Sequence, residues 1–352
     1  MQSQFHLRTA LLGLIVVLSI LPYGRAARSA DVVCDDVAAS GLLQVLTINI
    51  LFSEIENRNT RLARIADFVA ASPDAPRADI IFVQEFVGGL LVRTQSSARD
   101  LQRMLRNRGV EFELRSAAEF TLPGLFTVGN ATLSRCDILF RVVEFLTPQP
   151  ELEIGGEAIP LPRNVLCTRI DVPGFGRVNA CNTHLCAGCT AAQRGIQLAE
   201  ALDFVGRVRN FLPGSTIWAG DFNIVIFRNG GIEAPLYQSI LDSGLLDAYA
   251  DVQTDRLEDL CEDPLMPDEH CTVGVSALDG SNARRIDYVF AGENDFADVS
   301  FGEVVFNPGP GPEGAPIIDP DPTDGPEQTV SDHAGVWVSF ELPTALVASL
   351  GR

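Results

Sequence analysis

The sequence lacks lysine, and all 26 of the basic residues in this chain of 352 residues are arginine. This absence excludes a Walker-A phosphate loop, Schiff-base chemistry and a Ser–Lys catalytic pair, because each of them needs a lysine amine. A basic run is also missing, and the formal net charge is −20. Tight electrostatic binding to nucleic acid normally depends on a basic region. The composition therefore does not favour a protein that binds nucleic acid through charge alone.

The chain also lacks the composition of disordered proteins and of proteins that cross a membrane many times. Hydrophobic residues make up 46% and charged residues 20% of the sequence, and the mean hydropathy is only +0.16. This is enough apolar material for a large core and too little for repeated membrane spans. The composition predicts a globular chain.

The N-terminal segment has the pattern of a secretory signal. Arg8 is the only charge before an apolar run at 11–21, and small residues follow at 26, 27, 29 and 30. Such a run suits the hydrophobic part of a signal peptide and is short for a membrane span. We expect residues 1–30 to be a signal peptide, residues 31–352 to form a single domain, and the protein to be secreted. An uncleaved anchor is the alternative.

Eight cysteines lie after this segment, and an even number in an exported chain favours disulfide bonds. Their pairing cannot be deduced from the sequence. Cys261 and Cys271 bracket an acidic loop, which favours a short bridge. Cys181, Cys186 and Cys189 have a spacing like that of zinc ligands, but no fourth ligand other than His184 is apparent. Disulfide bonds are the favoured interpretation.

Apolar runs and helical spacings alternate along the rest of the chain. Strand-like runs occur at 43–51, 79–84, 127–133, 138–145, 165–172, 178–184, 215–219, 286–290 and 336–340. Helical patterns occur at 61–70, 97–108 and 191–211, and a further helix begins at Gln238. Residues 307–328 are rich in Pro, Gly and Asp, which predicts a surface loop. The mixture of hairpins and strand–helix units favours an α/β domain with mixed sheets and outer helices.

Polar side chains lie at the ends of several of the predicted strands, and three of them, Asp287, Asp332 and His333, open a strand. A buried polar group without a partner costs roughly 1–3 kcal/mol, so each one needs a reason. Singly, each is readily explained as a hydrogen-bonded core residue or strand cap. Together they favour a functional site, because α/β sheets bind ligands at strand ends. These residues are Asn49, Gln84, Glu85, Asn182, His184, Asp221, Asn223, Asp287, Asp332 and His333.

Seven short motifs follow one another along the chain. They are NIL at 49–51, VQEF at 83–86, GNATLSR at 129–135, NTHL at 182–185, WAGDFN at 218–223, RIDYVF at 285–290 and SDHAGV at 331–336. In this order they resemble the endonuclease/exonuclease/phosphatase superfamily, which contains DNase-I-like nucleases and secreted neutral sphingomyelinases. The resemblance spans residues 43–340. It implies a four-layer α/β sandwich, in which helices flank two packed mixed β-sheets and the site lies at one end.

The resemblance also implies a metal site. Glu85 would supply a charged oxygen ligand and Asn49 a neutral one, with Asp332 close to the ion. Mg²⁺ prefers few protein ligands and several waters, which fits this sparse set, and Mn²⁺ or Ca²⁺ are the alternatives. The cation would act as a Lewis acid on a phosphoryl oxygen.

The resemblance further implies roles for the remaining residues. Asp287 and His333 would form an Asp–His dyad that takes a proton from water, and His184 would protonate the leaving oxygen. Asp221 and Asn223 would orient water and phosphate, or hold a second cation.

Two motif residues and one missing signature limit this transfer of roles. Asn130 and Arg135 either shape the rim of the site or belong to a structural loop, and the sequence favours neither. The Trp-Cys-Asp-Arg signature of inositol-polyphosphate phosphatases is absent, and ARRIDYVF stands in its place at 283–290. The histidine of NTHL favours the nuclease and sphingomyelinase branches.

The favoured function is a secreted sphingomyelinase or phospholipase C that acts on a phospholipid headgroup at a membrane surface. An extracellular DNase-I-like endonuclease acting on a nucleic-acid phosphodiester, or a phosphatase, is the alternative. SGLLDAY at 243–249 resembles the lipid branch. Against it, the sequence shows no hairpin with exposed aromatic residues. We expect a monomer, and the sequence implies no stable protein partner.

Overall fold

The computed structural model describes the residues that carry all seven motifs. These are residues 34–51, 57–71, 76–154, 157–226, 231, 233–253, 261, 270–273, 284–306 and 331–341. The predicted signal peptide at 1–30 and the predicted loop at 307–328 lie outside them. Within the described ranges, no helix combines the length and apolar character needed to span a membrane.

Strands and helices alternate in the order that the sequence indicates. The strands are β1 (Leu42–Asn49), β2 (Ile80–Gly88), β3 (Glu113–Leu122), β4 (Phe126–Ser134), β5 (Asp137–Ile154), β6 (Glu157–Val172), β7 (Gly176–His184), β8 (Ser215–Asp221), β9 (Leu245–Asp247), β10 (Asp287–Gly292), β11 (Asp298–Val305) and β12 (Gly335–Glu341). The helices are α1 (Asp35–Ser40), α2 (Arg58–Val69), α3 (Ser97–Arg106), α4 (Ala191–Phe211), α5 (Ala234–Leu241) and α6 (Ala248–Asp251).

The strands form two mixed sheets. The first has the order β11-β12-β1-β2-β4-β3 and the second the order β5-β6-β7-β8-β10-β9. Each sheet has a parallel pair near its middle, β1–β2 in the first and β7–β8 in the second, and antiparallel strands around it. Helix α2 connects the first parallel pair and α4 the second. The predicted hairpin of 165–172 and 178–184 is confirmed as β6–β7.

Side-chain alternation along the strands produces four layers. On β1, Leu43 and Val45 join a core that also contains Val178 and Ile217 of the second sheet, so this core lies between the sheets. Leu46 and other outward residues of the first sheet instead pack with α2 and α3. The outer face of the second sheet packs with α4 and α5 in the same way. The predicted four-layer sandwich is therefore confirmed.

The structure contains elements that the sequence pattern did not indicate. Strand β3 has no regular alternation of apolar and polar residues, and side chains as different as those of Arg115 and Phe120 are partly buried on it. Strands β5 and β6 extend well beyond the predicted 138–145 and 165–172 as a long antiparallel ribbon. The sequence pattern also does not predict strands β9 and β11 or helices α1 and α6. Each of these four elements has eight residues or fewer, which is too short for a clear periodic pattern.

All eight cysteines form disulfide bonds. The pairs are Cys34–Cys136, Cys167–Cys181, Cys186–Cys189 and Cys261–Cys271. The short bridge expected between Cys261 and Cys271 is confirmed, and all three cysteines with zinc-like spacing are held in disulfides. Four disulfides are typical of a protein from an oxidising, extracellular environment.

The glycine of the WAGDFN motif permits the close approach of β7 and β8. Gly220 has a φ of +143°, which L-amino-acid side chains rarely adopt. A Cβ atom at this position would collide with the carbonyl oxygen of Thr183 on β7. His184 and Asp221 follow these two residues and lie side by side in the register. The glycine therefore sets how closely two site residues approach each other.

We predict that Gly220→Ala destabilises the protein by about 3 kcal/mol or more, since it combines a strained φ with a backbone collision. Gly109→Ala is the matched control, because Gly109 also has a positive φ, +86°, but has open space where a Cβ atom would lie. The control should cost only about 1–2 kcal/mol. Urea unfolding of both variants measures the difference, and equal losses would contradict this account.

The disulfides yield a second prediction. In denaturant without reductant, the mature protein should show almost no reactive thiols, and six or more would contradict the pairing. Replacing both Cys34 and Cys136 with serine should lower the free energy of unfolding by about 2–5 kcal/mol, since this bridge joins residues 102 apart. The bridge of Cys186 and Cys189 joins residues three apart and should contribute less to chain entropy.

Candidate active site

The carboxyl ends of the two parallel strand pairs meet at one end of the sandwich. Asn49 ends β1, and its register partner on β2 is Gln84. On the second sheet, His184 at the end of β7 is the partner of Asp221 on β8, which in turn is the partner of Asp287 on β10. The sequence therefore places these polar side chains at one edge because each lies at the end of an apolar strand.

A layer of amide hydrogen bonds joins the two sheets below this edge. The Nε2 atom of Gln84 donates to Oδ1 of Asn182 at 2.7 Å, and it lies 3.1 Å from Oγ1 of Thr47. The Nδ2 atom of Asn182 donates to the carbonyl oxygens of Val83 and Ala131. These buried side chains satisfy one another, so they act as structural links between the sheets.

Asp221 occupies the centre of the candidate site. Its Oδ2 atom accepts a hydrogen bond from Nδ2 of Asn49 at 3.1 Å. The same oxygen lies 3.4 Å from Nε2 of His184 and 3.7 Å from Nε2 of His333. Burial is the main cause that raises the pKa of Asp221 to about 7, and nearby Asp287 and Glu85 add to the rise, while His333 and the Asn49 hydrogen bond oppose it.

His333 and Asp287 form the Asp–His dyad that the sequence predicts. Nδ1 of His333 lies 2.9 Å from Oδ2 of Asp287. The backbone N–H of Asp287 donates to Oγ1 of Thr272, which holds the start of β10 in place. Burial alone would lower the pKa of His333, but Asp287 and Asp221 outweigh it and raise the pKa well above its usual value. The second nitrogen of this imidazole faces Asp221.

His184 is held by a cation rather than by a carboxylate. Its Nδ1 atom lies 2.8 Å from Nη1 of Arg163, and Nη1 also donates to Oε2 of Glu119 at 2.9 Å. Since arginine can only donate, Nδ1 accepts and the ring hydrogen is on Nε2. Burial and Arg163 lower the pKa of His184 well below its usual value. A neutral ring with its Nε2 hydrogen at the site is the favoured form.

These two pKa directions oppose the predicted roles, because an acid must be protonated and a base must be neutral before the reaction. The predicted acid, His184, favours its neutral form, and the predicted base, His333, favours its charged form. An anionic phosphodiester beside His184 would raise the pKa of its imidazole, because a negative charge favours the protonated ring. The roles therefore depend on a loaded site and stay predictions.

Glu85 leaves the regular strand so that its side chain reaches the site. The register of β2 and β4 shifts between Val83 and Phe86, and Glu85 has a φ of +57°. This bulge re-aims the side chain, as β-bulges beside active sites commonly do. One carboxylate oxygen of Glu85 lies 3.8 Å from Nε2 of His184.

Asn223 and Asp332 complete the group. Asn223 also has a positive φ, +53°, and its backbone N–H donates to Oδ1 of Asp221 at 3.0 Å. Its side-chain amide donates to the carbonyl oxygen of Leu185, so the side chain is engaged in holding the loop. Asp332 is partly exposed, accepts a hydrogen bond from Ser331, and raises the pKa of the neighbouring His333.

The chemistry of this edge fits a divalent cation. The described residues place four carboxylates around two imidazoles, and Oδ1 of Asp287 is buried without a hydrogen-bond partner. Burial is the main cause of the raised pKa of Asp221, and the nearby carboxylates of Asp287 and Glu85 add to it. A hard cation with oxygen ligands would relieve the repulsion among these carboxylates. Oδ1 of Asn49 already accepts the N–H of Leu51, and its second lone pair is left for a ligand.

A second group of possible ligands overlaps the dyad. Asp221, Asp287 and His333 offer ligand atoms that all lie within 4.8 Å of one another. A cation bound by all three would compete with the hydrogen bond between Asp287 and His333. The set of Glu85, Asn49 and Asp332 stays a prediction, and this overlapping group is a second candidate.

The two motif residues of undecided role differ in position. Asn130 is fully buried beside the site, where its Nδ2 atom donates to Glu119 and Asn164. Arg135 lies at the opposite end of β4 and pairs with Asp79, just before β2, at 2.7 Å. Arg135 therefore belongs to a structural ion pair and not to the rim.

Sequence reasoning missed Arg163 and Glu119. Glu119 lies on β3, which the sequence pattern did not indicate, and its carboxylate connects β3 to Arg163 on β6. The only sequence signal for Arg163 is the polar Arg-Asn pair before the apolar run at 165–172. Neither pattern reveals that the guanidinium would contact His184.

The RIDYVF and SGLLDAY motifs are joined by a buried ion pair. Both carboxylate oxygens of Asp247 accept from Nη2 of Arg285, at 2.7 and 2.6 Å, and Oδ2 also accepts from Oη of Tyr237. This pair anchors the start of β10 against β9 and α5. The conformation of the segment that carries Asp287 therefore depends on both motifs.

The geometry agrees with a comparison against protein families. A model of the Endonuclease/Exonuclease/phosphatase family matches residues 46–333, from β1 to the histidine of the dyad. The chain belongs to the endonuclease/exonuclease/phosphatase family. Members of this family are phosphoester hydrolases and are typically metal-dependent, so this chain is an enzyme of that type.

Solved structures share the endonuclease/exonuclease/phosphatase fold. A family protein from Leptotrichia buccalis C-1013-b is 19% identical, with a TM-score of 0.57, 85% of this chain and 100% of that chain covered. A protein of this family from Beutenbergia cavernae DSM 12333 is 24% identical, with a TM-score of 0.57, and the match covers 86% of this chain and 72% of that chain. A mannosyl-6-phosphatase from Bacteroides thetaiotaomicron VPI-5482 is 17% identical, with a TM-score of 0.56 and 85% and 99% covered. These likenesses establish the fold and not the substrate.

A search of curated protein sequences gave no match to the chain.

Proposed function

We propose that this protein is a secreted, Mg²⁺-dependent phosphodiester hydrolase of the sphingomyelinase or phospholipase C type. One observation carries the proposal: the two imidazoles of His184 and His333 flank a single carboxylate oxygen of Asp221, at 3.4 and 3.7 Å. Cleaving a phosphodiester requires one group to take a proton from water and another to assist the leaving oxygen. Two imidazoles within 4 Å of one carboxylate oxygen would supply one group for each need.

The residues of this chain would divide the reaction between them. Nε2 of His333 takes the proton from the attacking water, and Asp287 stabilises the imidazolium that forms and holds its tautomer. Nε2–H of His184 donates to the leaving oxygen. Asp221 and Asn223 orient the water and the phosphate. Glu85, Asn49 and Asp332 would hold Mg²⁺, which when bound polarises a phosphoryl oxygen as a Lewis acid.

Secretion and a lipid substrate are the finer parts of the proposal. Four disulfides in the described chain support an extracellular environment. A net charge of −20 is compatible with a zwitterionic headgroup and repels a polyanion. The same catalytic residues would also serve a nucleic-acid phosphodiester. Assays of the purified protein with sphingomyelin and with plasmid DNA, both with Mg²⁺, separate these substrates.

Removal of the metal should abolish activity. We expect EDTA to stop hydrolysis of a soluble phosphodiester such as bis(p-nitrophenyl) phosphate, and added Mg²⁺ to restore it. Glu85→Gln removes the charged ligand and should weaken Mg²⁺ binding, measured by calorimetry, about tenfold or more. Glu303→Gln on the exposed face of β11 is the control and should bind Mg²⁺ normally. Full turnover in EDTA would overturn the metal dependence.

The role of His184 should depend on the leaving group. A good leaving group needs no proton, so His184→Ala should lose little rate on a p-nitrophenyl ester and far more on an alkyl ester. Asp287→Asn is the matched comparison, because it acts through His333 on the attacking water. Asp287→Asn should lower both rates alike, by up to about 10⁴-fold if the tautomer is misdirected. Equal losses on both esters in His184→Ala would show that His184 does not serve the leaving oxygen.

A further inference from the structure

We propose that the protein docks on a phospholipid bilayer through a leucine rim and an arginine pocket that lie beside the active site. This inference rests on the proposed function, since it names the surface that would present a lipid substrate to that site. The leucine rim consists of Leu90 and Leu91 after β2, Leu122 at the end of β3, and Leu125 in the turn between β3 and β4. The arginine pocket is the cavity lined by Arg58, Arg93, Arg99 and Arg103.

The leucine rim is exposed and formed by two loops that are fastened together. Leu90, Leu91, Leu122 and Leu125 are 77%, 61%, 45% and 46% exposed. The backbone N–H of Leu91 donates to the carbonyl oxygen of Leu125 at 3.1 Å, and Gly89 packs closely against the same carbonyl. Leu125 in turn donates to the carbonyl of Leu122. Four leucines therefore stay exposed on one ordered surface, which marks an apolar contact site.

The arginine pocket adjoins the loop that carries Leu90 and Leu91, because Arg93 of that loop lines it. Arg58, Arg93, Arg99 and Arg103 line a cavity of about 400 Å³ at the start of α3. Its one acidic lining residue, Asp100, is already used, because it accepts from Arg103 at 2.8 Å and from Thr94 at 2.5 Å. In a chain of net charge −20, this pocket is a local concentration of positive charge.

Arg58 is the observation that points to an anion. Its side chain lines the pocket but the residue is only 7% exposed. Nη1 donates to the carbonyl oxygen of Val92 at 2.7 Å, whereas Nε has no partner, and no described carboxylate pairs with this guanidinium. A buried charge without a counter-charge is costly. A phosphate in the pocket would supply the missing negative charge.

The rim and the pocket lie at the same end of the sandwich as the catalytic residues. Strand β2 runs on from Glu85 to Gly88, and Leu90 follows two residues later. At about 3.3 Å per residue, the rim lies roughly 16 Å beyond Glu85. Strands β3 and β4 continue past Glu119 and Asn130 to the turn that carries Leu122. A bilayer against the rim would therefore lie at the end of the sandwich that carries the candidate site.

A lipid surface explains the rim, and a nucleic acid does not. Leucine side chains gain free energy by leaving water for the boundary between headgroups and acyl chains. Arginines next to them would bind the phosphates of neighbouring lipids. Nucleic acid would use the arginines but leave the four leucines in water. The pairing of both features favours the bilayer.

Flotation with sphingomyelin–phosphatidylcholine vesicles tests the proposal on the mature protein. Replacing Leu90 and Leu91 with glutamine should weaken vesicle binding about tenfold or more. Replacing Arg93 and Arg99 with glutamine should weaken it about fivefold or more. Arg58→Met probes the buried guanidinium, and the two exposed pairs keep the test valid if that variant does not fold. Hydrolysis of vesicle lipid should fall in parallel, while turnover of soluble bis(p-nitrophenyl) phosphate should stay within about twofold.

The matched control is Phe211→Gln. Phe211 is 78% exposed at the end of α4, just before the start of β8 and hence at the opposite end from Asp221. It should bind vesicles like the unmodified protein. Unchanged vesicle binding in the leucine variant would overturn the proposal. So would binding of a DNA oligonucleotide, but not of vesicles, by the unmodified protein. If the unmodified protein still hydrolyses the soluble ester in those cases, the proposed hydrolase function stands. If the unmodified protein does not hydrolyse the soluble ester, the function itself is contradicted.

Discussion

The hydrogen bond between Gln84 and Asn182 is the constraint on which the site depends. These two amides lie on facing sheets, and without this bond Oδ1 of Asn182 would be a buried acceptor that has lost its donor. They fix how β2 and β7 face each other, one step below the catalytic edge. Sliding one sheet over the other would break this hydrogen bond and leave buried polar groups unsatisfied. The polar layer therefore sets the register that brings Asn49 of one sheet to Asp221 of the other.

Above that layer, each of the two histidines of the candidate site is held by groups from other elements. Asp287 orients His333, while Arg163 and Glu119 orient His184 from strands β6 and β3. The two histidines consequently experience opposite electrostatics, although both are buried against Asp221. Burial lowers the pKa of both imidazoles, and the neighbouring charge decides the direction of the net shift. The two imidazoles therefore favour different protonation states, neutral for His184 and charged for His333.

Sequence patterns predicted the fold and most of the candidate site because both follow from alternation along strands. Asn49, His184 and Asp221 each lie at the end of an apolar run, and the ends of such runs meet in this architecture. Features made by irregular backbone or by distant partners were not predictable. The bulge that aims Glu85 depends on the register with β4, and the contact of Arg163 with His184 depends on how two strands pair. The leucine rim forms only because the loop after β2 contacts the turn between β3 and β4. The positions of these leucines in the sequence do not predict that contact.

The pairing of β1 with β12 has a consequence for when the enzyme becomes active. Leu42 of the first strand pairs with Glu341 of the last, and His333 lies just before that last strand. A contact between such distant segments can form only after nearly all of the chain between them is available. A nascent chain that has not reached residue 333 lacks both this closing strand and the imidazole beside it. The candidate site of such an unfinished chain is therefore incomplete, because His333 and β12 are made after every other strand.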